Sequence, residues 1–111
     1  MNNIAERYVY RVQWSEEDGE FVGLCAELPS LSWLAESPDE AFAGIRGLAA
    51  EVLQDMEANG EEPPEPLSVR RYSGKIHFRT TPEVHKKLAI CAAEARVSLN
   101  RFLNSKITSN F

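Results

Sequence analysis

Three side chains that could bind nucleic acid alternate along one short segment. Lys75, His77 and Arg79 are separated by Ile76 and Phe78, a pattern typical of an amphipathic strand with one cationic and one apolar face. Lysine and arginine donate hydrogen bonds, and histidine donates or accepts according to its tautomer. A single strand is not stable in water, and nothing later in the sequence has the pattern of a partner strand. We therefore expect this segment to pair with another chain; the alternative is an exposed edge whose charges only prevent aggregation.

The charged residues divide the chain into an acidic and a basic part. Residues 1–69 contain fifteen acidic and three basic side chains, a net charge of −12, whereas residues 70–111 contain nine basic and two acidic side chains, a net charge of +7. This asymmetry indicates contact with nucleic acid at the basic end. The acidic part fits either a basic partner or a surface that only maintains solubility.

No combination of residues is typical of a catalytic or metal site. Glu16, Glu17 and Asp18 are consecutive in a predicted turn, where three side chains cannot converge on one ion, and the acidic part contains no histidine. His85 has no second ligand at coordinating spacing, so we place it on the surface. The sequence contains no Ser/His/Asp set, glycine-rich phosphate loop or CxxC pair. We predict a binding protein without catalytic activity, metal or cofactor.

Length and composition favour small domains in a reducing compartment. The chain has 111 residues, 43% hydrophobic and 26% charged, which are globular proportions. No apolar run reaches the roughly 18 residues of a membrane span, and the first residues lack the features of a secretory signal. We expect a cytoplasmic protein without a membrane partner, with Cys25 and Cys91 as buried thiols. Units this small bury little surface alone, so a homodimer or higher oligomer is expected.

The acidic part, assigned as a domain over residues 1–59, has the pattern of three strands. Period-2 alternation from Tyr8 to Trp14, a turn ending in Asp18–Gly19 and a second strand over Glu20–Ala26 predict a hairpin. A short third strand follows over Leu31–Ala35. Trp14 and Trp33 are assigned to the core or to an interface, because acidic surroundings do not favour stacking on bases.

A helix follows the third strand. Ser37 is the expected N-cap, Pro38 occupies the first helical position, and Glu40 completes a capping box. Apolar residues then recur at helical spacing, and Asn59–Gly60 ends the helix. The predicted order of the acidic part is therefore three strands and one helix.

The next residues, 60–73, are predicted to be a linker. Three of the four residues from 63 to 66 are prolines, which favours an extended conformation with a reach of up to about 40 Å at roughly 3.1 Å per residue. Residues 74–111 then contain the amphipathic strand, a helix that begins at Thr81–Pro82 and a second helix with Ser98 as N-cap. The basic domain is thus a strand followed by two helices.

These motifs, in this order, resemble HicB antitoxins. Asp18–Val22, Glu27–Pro29 and Ser37–Ala41 resemble the HicB N-terminal domain. The later segments resemble the ribbon-helix-helix module of bacterial repressors: Gly74–Arg79, Thr81–Leu88 and Val97–Arg101. The resemblance implies an α+β fold, in which a small βββα partial RNase H-like domain is joined by a linker to a dimeric ribbon-helix-helix domain.

The chain departs from the family pattern at two places. Thr80–Thr81 stands where an aliphatic residue and a proline are usual, although Thr81 can still cap the helix. Arg96 stands where the family often has glycine between the two helices. If that position requires a positive φ, arginine costs on the order of 1 kcal/mol there.

The resemblance also implies which residues contact DNA. In a ribbon-helix-helix dimer, one strand from each chain forms a ribbon that enters the major groove. Strand parity then directs Lys75, His77 and Arg79 toward the bases. The backbone N–H groups at the start of the last helix contact a phosphate; the residues assigned to this anchor are Ser98, Leu99, Asn100 and Arg101.

For the acidic domain, the resemblance implies binding to HicA, a small basic ribonuclease toxin. The predicted function is therefore the antitoxin of a type II toxin–antitoxin pair, which also represses its own operon by binding operator DNA. The alternative is a stand-alone ribbon-helix-helix transcriptional regulator whose first domain binds a ligand or assists assembly. A small RNase H-like nuclease is disfavoured, because the pattern does not bring several carboxylates together for two-metal cleavage.

Overall fold

The computed structural model describes residues 4–111, which form two compact units. The first, Met1–Tyr72, is called the acidic unit, and the second, Ser73–Phe111, the basic unit. With five basic and fifteen acidic side chains, the acidic unit has a net charge of −10; with seven basic and two acidic side chains, the basic unit has a net charge of +5. No helix in the described part of the chain is both long and apolar enough to span a bilayer.

The acidic unit is a three-stranded antiparallel sheet with one long helix on one face. Its three strands lie in sequence order across the sheet. A short helix that was not predicted precedes them. The elements are α1 (Ile4–Arg7), β1 (Tyr10–Ser15), β2 (Glu20–Cys25), β3 (Ser32–Ala35) and α2 (Pro38–Ala58). The predicted α+β class and the order of three strands and a helix are confirmed.

The turn between β1 and β2 and the start of α2 lie where the sequence predicted them. Gly19 has a φ of +64°, and its N–H donates to the carbonyl of Ser15 at 2.8 Å, which closes the turn between β1 and β2. Ser37 caps α2 by accepting from the N–H of Glu40 at 3.2 Å, while its hydroxyl donates to the Glu40 carboxylate at 3.0 Å. The predicted N-cap is therefore confirmed, whereas the Glu40 carboxylate accepts from the Ser37 hydroxyl and not from the Ser37 N–H that a capping box would use.

The core of the acidic unit lies between β2 and α2. Gly23 allows the close approach, because a Cβ there would lie 2.6 Å from the carbonyl oxygen of Ala41 and 2.8 Å from Cγ2 of Ile45. Gly23 pairs with Val12 on one side and with Trp33 on the other. The buried cluster beneath the sheet consists of Tyr8, Cys25, Ile45 and Leu53.

Part of the predicted linker is attached to the acidic unit. Pro66 is buried, and three hydrogen bonds hold the surrounding backbone: Tyr8 Oη to the Pro64 carbonyl at 2.8 Å, the Leu67 N–H to Glu27 Oε2 at 2.9 Å, and Ser68 Oγ to the Arg7 carbonyl at 2.5 Å. The reach of about 40 Å expected for a free segment over residues 60–73 therefore does not apply to these residues. The difference arises from tertiary contacts that proline content does not encode.

The basic unit contains two helices, α3 (Pro82–Glu94) and α4 (Leu99–Thr108). Thr81 and Ser98 cap them as predicted, accepting from the N–H groups of Val84 and Arg101. The segment 75–80 is neither helical nor paired with another strand within the described chain. Its pairing with a second chain stays a prediction, because a ribbon of this kind needs a strand from each chain.

The junction between α3 and α4 places Arg96 in a left-handed conformation, with φ +58°. The N–H of Arg96 donates to the Ala93 carbonyl at 3.0 Å, and the N–H of Val97 donates to the Ala92 carbonyl at 3.1 Å. These two bonds form a Schellman motif, whose left-handed position is usually glycine. The position therefore does require a positive φ.

The two cysteines differ in burial. Cys25 is buried beneath the sheet, as predicted, but Cys91 is exposed on α3, so the prediction of a buried thiol was wrong there. In the basic unit of a single chain, Ala92 is the residue of α3 that is buried. Two helices alone cover only one side of α3, which leaves the neighbouring Cys91 in solvent.

Candidate nucleic-acid interface and acidic surface

The cationic segment is fully open to solvent in the single chain. Lys75, His77 and Arg79 are all exposed. The apolar side chains between them are exposed as well, Ile76 by 84% and Phe78 by 65%. Large apolar side chains at such exposure mark a surface that binds another molecule. Both faces of the segment are therefore available, one for polar contacts and one for an apolar partner.

The apolar side chains of the segment border a groove in the basic unit. The groove has a volume of about 540 Å³, and Ile76, Phe78, Leu88, Leu99 and Leu103 are among its lining residues. Leu88 belongs to α3, and Leu99 and Leu103 belong to α4. A single chain leaves that core open on one side.

The start of α4 lies on the same groove as the end of the segment. Arg79 and Asn100 both line it, so the structure brings these two predicted contact residues into one region. Ser98 caps the helix by accepting from the Arg101 N–H at 3.1 Å. A helix N-terminus of this kind attracts anions through its N–H groups and its dipole. Leu99 and Asn100 occupy the first helical positions, as the phosphate-anchor prediction requires.

His85 also borders this groove and is exposed, in agreement with its predicted surface position. No group of three or more His, Cys, Asp or Glu side chains within residues 4–111 is placed to hold a metal ion. The arrangement around the groove is suited to binding through charge and apolar contact.

The acidic side chains of α2 form a second surface. All five are exposed: Asp39, Glu40, Glu51, Asp55 and Glu57. On the same helix, Phe42 is half-exposed, with the guanidinium of Arg46 located 5.4 Å from its ring centroid and the ring of Tyr10 packed edge-on against it. The exposed carboxylates are suited to contact with a basic protein surface.

The titratable groups beneath the sheet are poorly suited to catalysis. Burial raises the pKa of Tyr10 to about 12 and also raises the pKa of the Cys25 thiol. The thiolate, which is the nucleophilic form of cysteine, is therefore disfavoured at Cys25. The Cys25 Sγ instead lies 3.7 Å from Glu27 Oε1.

Glu27 is a positioning residue that sequence reasoning did not identify. Its carboxylate accepts from the N–H of Val9 at 2.9 and 3.2 Å and from the N–H of Leu67 at 2.9 Å. One side chain thus joins the entry to β1 with the segment after α2. The only signal in the sequence was its place in the Glu27–Pro29 motif, which does not reveal partners forty residues away.

Comparison with known proteins gives one match. The model of the HicB family matches residues 53–107, from the last turns of α2 through nearly all of α4. The matched range includes every residue of the candidate nucleic-acid interface and the segment that Glu27 holds. No curated protein and no solved structure shows significant similarity to the chain.

Proposed function

Because the chain belongs to the HicB family, we propose that it is the antitoxin of a type II toxin–antitoxin pair. Membership of this family is consistent with an antitoxin role. In this proposal the acidic unit binds and neutralises a HicA-like ribonuclease. The basic unit forms a homodimer that binds operator DNA and represses the operon. The protein itself catalyses no reaction.

The observation that carries the DNA-binding part is the unpaired segment 75–80. Its cationic side chains alternate with Ile76 and Phe78, which are exposed above an open apolar groove. Pairing two copies of the segment antiparallel would cover these apolar side chains and the groove together. It would also align two sets of Lys75, His77 and Arg79 on one face, and a two-stranded ribbon fits the major groove.

Each contact group has a separate role in this proposal. Lys75 and Arg79 donate to guanine acceptors, and His77 donates or accepts according to its tautomer. The N-terminus of α4, with Ser98 and Arg101, contacts a phosphate and sets how deeply the ribbon enters. Base contacts supply sequence specificity, whereas the phosphate contact supplies position.

Toxin binding is supported by the charge of the acidic unit. Its net charge of −10 and the exposed carboxylates of α2 are complementary to a small basic protein. Complementary potentials raise association rates and disfavour partners of like charge. A ribonuclease needs a basic surface to bind RNA, so an acidic partner can cover that surface.

The DNA-binding part is tested by a double substitution, Lys75→Ala with Arg79→Ala. The ratio of specific to non-specific affinity should fall by about a hundredfold in gel-shift titrations with the DNA upstream of the gene, since each base contact contributes roughly 1–3 kcal/mol. The matched control, Lys86→Ala with Lys87→Ala, removes the same charge from α3 and should leave the ratio within about threefold. An unchanged ratio in the first variant would refute the assignment.

The toxin-binding part is tested by co-expression with the adjacent open reading frame. The proposal predicts that a short basic protein co-purifies and that its ribonuclease activity disappears in the complex. A complex with a protein that does not cleave RNA, or no complex at all, would favour a stand-alone regulator. Ribonuclease activity in the chain alone would contradict the non-catalytic assignment.

A further inference from the structure

The outer edge of β3 is open along a groove. In the sheet order β1-β2-β3, β3 pairs with β2 on one side and with no other strand of residues 4–111. A groove of about 640 Å³ lies between β3 and the start of α2, lined by Trp33, Leu34 and Ala35 and by Ala43 and Gly44. An unpaired strand edge presents N–H and C=O groups that can pair with another strand. The groove therefore combines apolar surface with unpaired backbone.

The Trp33 ring packs against Gly44 of α2. A Cβ at Gly44 would lie 2.0 Å from the indole Nε1 of Trp33, so this ring occupies the space of the missing side chain. The indole nevertheless remains 43% exposed. Glycine is less favourable than alanine in a helix interior. Making room for the Trp33 ring therefore lowers the stability of α2. The result is an aromatic wall that faces the groove.

The rim of the groove is acidic. Glu20 at the start of β2, Glu36 after β3 and Glu40 in the first turn of α2 all line it, and no lysine or arginine is among its lining residues. Ammonium and guanidinium groups bind over the face of tryptophan more strongly than over other aromatic rings. Three carboxylates around one indole therefore favour a cationic side chain.

The other edge of the sheet has a different character. The groove nearest to β1 extends across β2; Val9, Arg11 and Leu24 are among its lining residues, and none of its lining residues is acidic. Among the described strands, β1 and β3 each pair with β2 alone, so the acidic lining distinguishes β3 from β1 as a docking site for a basic strand.

We propose that the β3 edge binds an extended segment of the partner protein that carries lysine or arginine, by addition of a fourth strand to the sheet. Backbone hydrogen bonds supply affinity, and cationic side chains contact Trp33 and the carboxylates of Glu20, Glu36 and Glu40. The identity of the partner as the basic toxin rests on the proposed function. The chemistry of the site does not.

The first test uses the full chain with Trp14→Phe, so that Trp33 is the sole tryptophan. The probe is a short capped peptide of alternating lysine and valine, titrated at low salt while Trp33 fluorescence is recorded. Two further peptides carry N-methyl groups on either the lysine or the valine amides. Strand addition uses alternate N–H groups along one edge, so one methylated peptide should lose binding and the other should keep it. Equal binding by both would overturn the proposal.

Matched variants of the chain test the site. Glu20→Gln with Glu36→Gln should weaken binding of the parent peptide by about five- to tenfold. Glu61→Gln with Glu62→Gln, which removes the same charge from an exposed segment after α2, should change it by less than about twofold. Gly44→Ala, which displaces Trp33, should also weaken binding, whereas Gly47→Ala on the same helix has open space and should not. Equal weakening by both acidic pairs would overturn the proposal.

Two outcomes separate this proposal from the proposed function. If the toxin co-purifies but the peptide does not bind, the β3 site is refuted and the antitoxin function stands. If the peptide binds at β3 but no toxin is found, the antitoxin function fails and the site stands. Nuclear Overhauser contacts between residues 32–35 and residues 75–79 in the free protein would also refute the site, because the chain would then fill its own edge.

Discussion

The acidic and basic units differ in whether one chain completes their cores. In the acidic unit, β2 and α2 bury Cys25 and Ile45 almost completely, and Tyr8 and Leu53 extend this cluster. In the described part of the basic unit, Ala92 is the buried apolar residue, while Ile76 and Phe78 are exposed. One helix packed on the sheet is sufficient to bury the core of the acidic unit. Two helices and an unpaired segment leave the core of the second unit open, which is why we propose that a second chain completes it.

The largest effect is expected from removing the exposed apolar pair of the basic unit. Ile76→Ala with Phe78→Ala should raise the dimer dissociation constant by at least about a hundredfold, because truncating buried aromatic and aliphatic side chains costs several kcal/mol. Because both side chains are exposed in the single chain, their truncation should reduce the free energy of dimer association. Sedimentation equilibrium checks this, with Val69→Ala as a control for loss of an exposed side chain. A dimer of parental affinity would remove the contrast between the units.

A substitution where α2 packs closely on β2 should act on the acidic unit alone. Gly23→Ala places a Cβ against Ala41 and Ile45, and we expect a loss of about 2–3 kcal/mol in the free energy of unfolding. Both tryptophans belong to the acidic unit, so their fluorescence in urea reports its unfolding.

The matched control for this prediction is Gly47→Ala, where nothing lies within 4 Å of the new Cβ. It should stabilise the acidic unit by roughly 0.5–1 kcal/mol, because alanine is favoured over glycine in a helix. Similar effects at the two positions would mean that packing of α2 on β2 does not determine the stability of the acidic unit.

A smaller, local effect is expected at Glu27. Glu27→Gln removes the charge that accepts from Val9 and Leu67. Hydrogen exchange at those two amides should accelerate about tenfold, since hydrogen bonds to a charged group contribute roughly 1.5–3 kcal/mol and glutamine retains part of this. Glu65→Gln, an exposed change in the same segment, should leave both rates unchanged. Unaltered exchange in the Glu27 variant would show that other contacts hold the segment.

The smallest effect is expected from removing the backbone strain at Arg96, the residue of the basic unit with a left-handed conformation. Arg96→Gly should raise the stability of that unit by about 1 kcal/mol, because glycine adopts φ +58° without a steric penalty. Arg96→Ala removes the same charge but keeps a Cβ, so it should give no such gain. A thermal unfolding midpoint that is equal in the two variants would contradict the strain at Arg96.

Features determined by neighbouring residues could be predicted from the sequence. The caps at Ser37, Thr81 and Ser98, the turn at Gly19 and the order of strands and helices all depend on residues a few positions apart. The expected cost at Arg96 was conditional on a positive φ, and the structure supplies that condition. Local chemistry is sufficient for such features.

Features determined by distant contacts could not be predicted. The alternation that begins at Tyr8 indicated a strand from that residue, but β1 begins at Tyr10, and the Tyr8 hydroxyl instead binds the Pro64 carbonyl. The packing of Trp33 against Gly44 and the hydrogen bonds that Glu27 accepts likewise join segments that are far apart in the sequence. No periodicity in a single sequence specifies these pairs.

The pairing of two copies through residues 75–80 is tested most directly by an isotope-filtered nuclear Overhauser experiment on mixed labelled and unlabelled chains. We expect interchain contacts between backbone protons on either side of His77, in the antiparallel register of a two-stranded ribbon. Interchain contacts that are absent at concentrations where the protein is dimeric, or contacts of this segment only with its own chain, would contradict it.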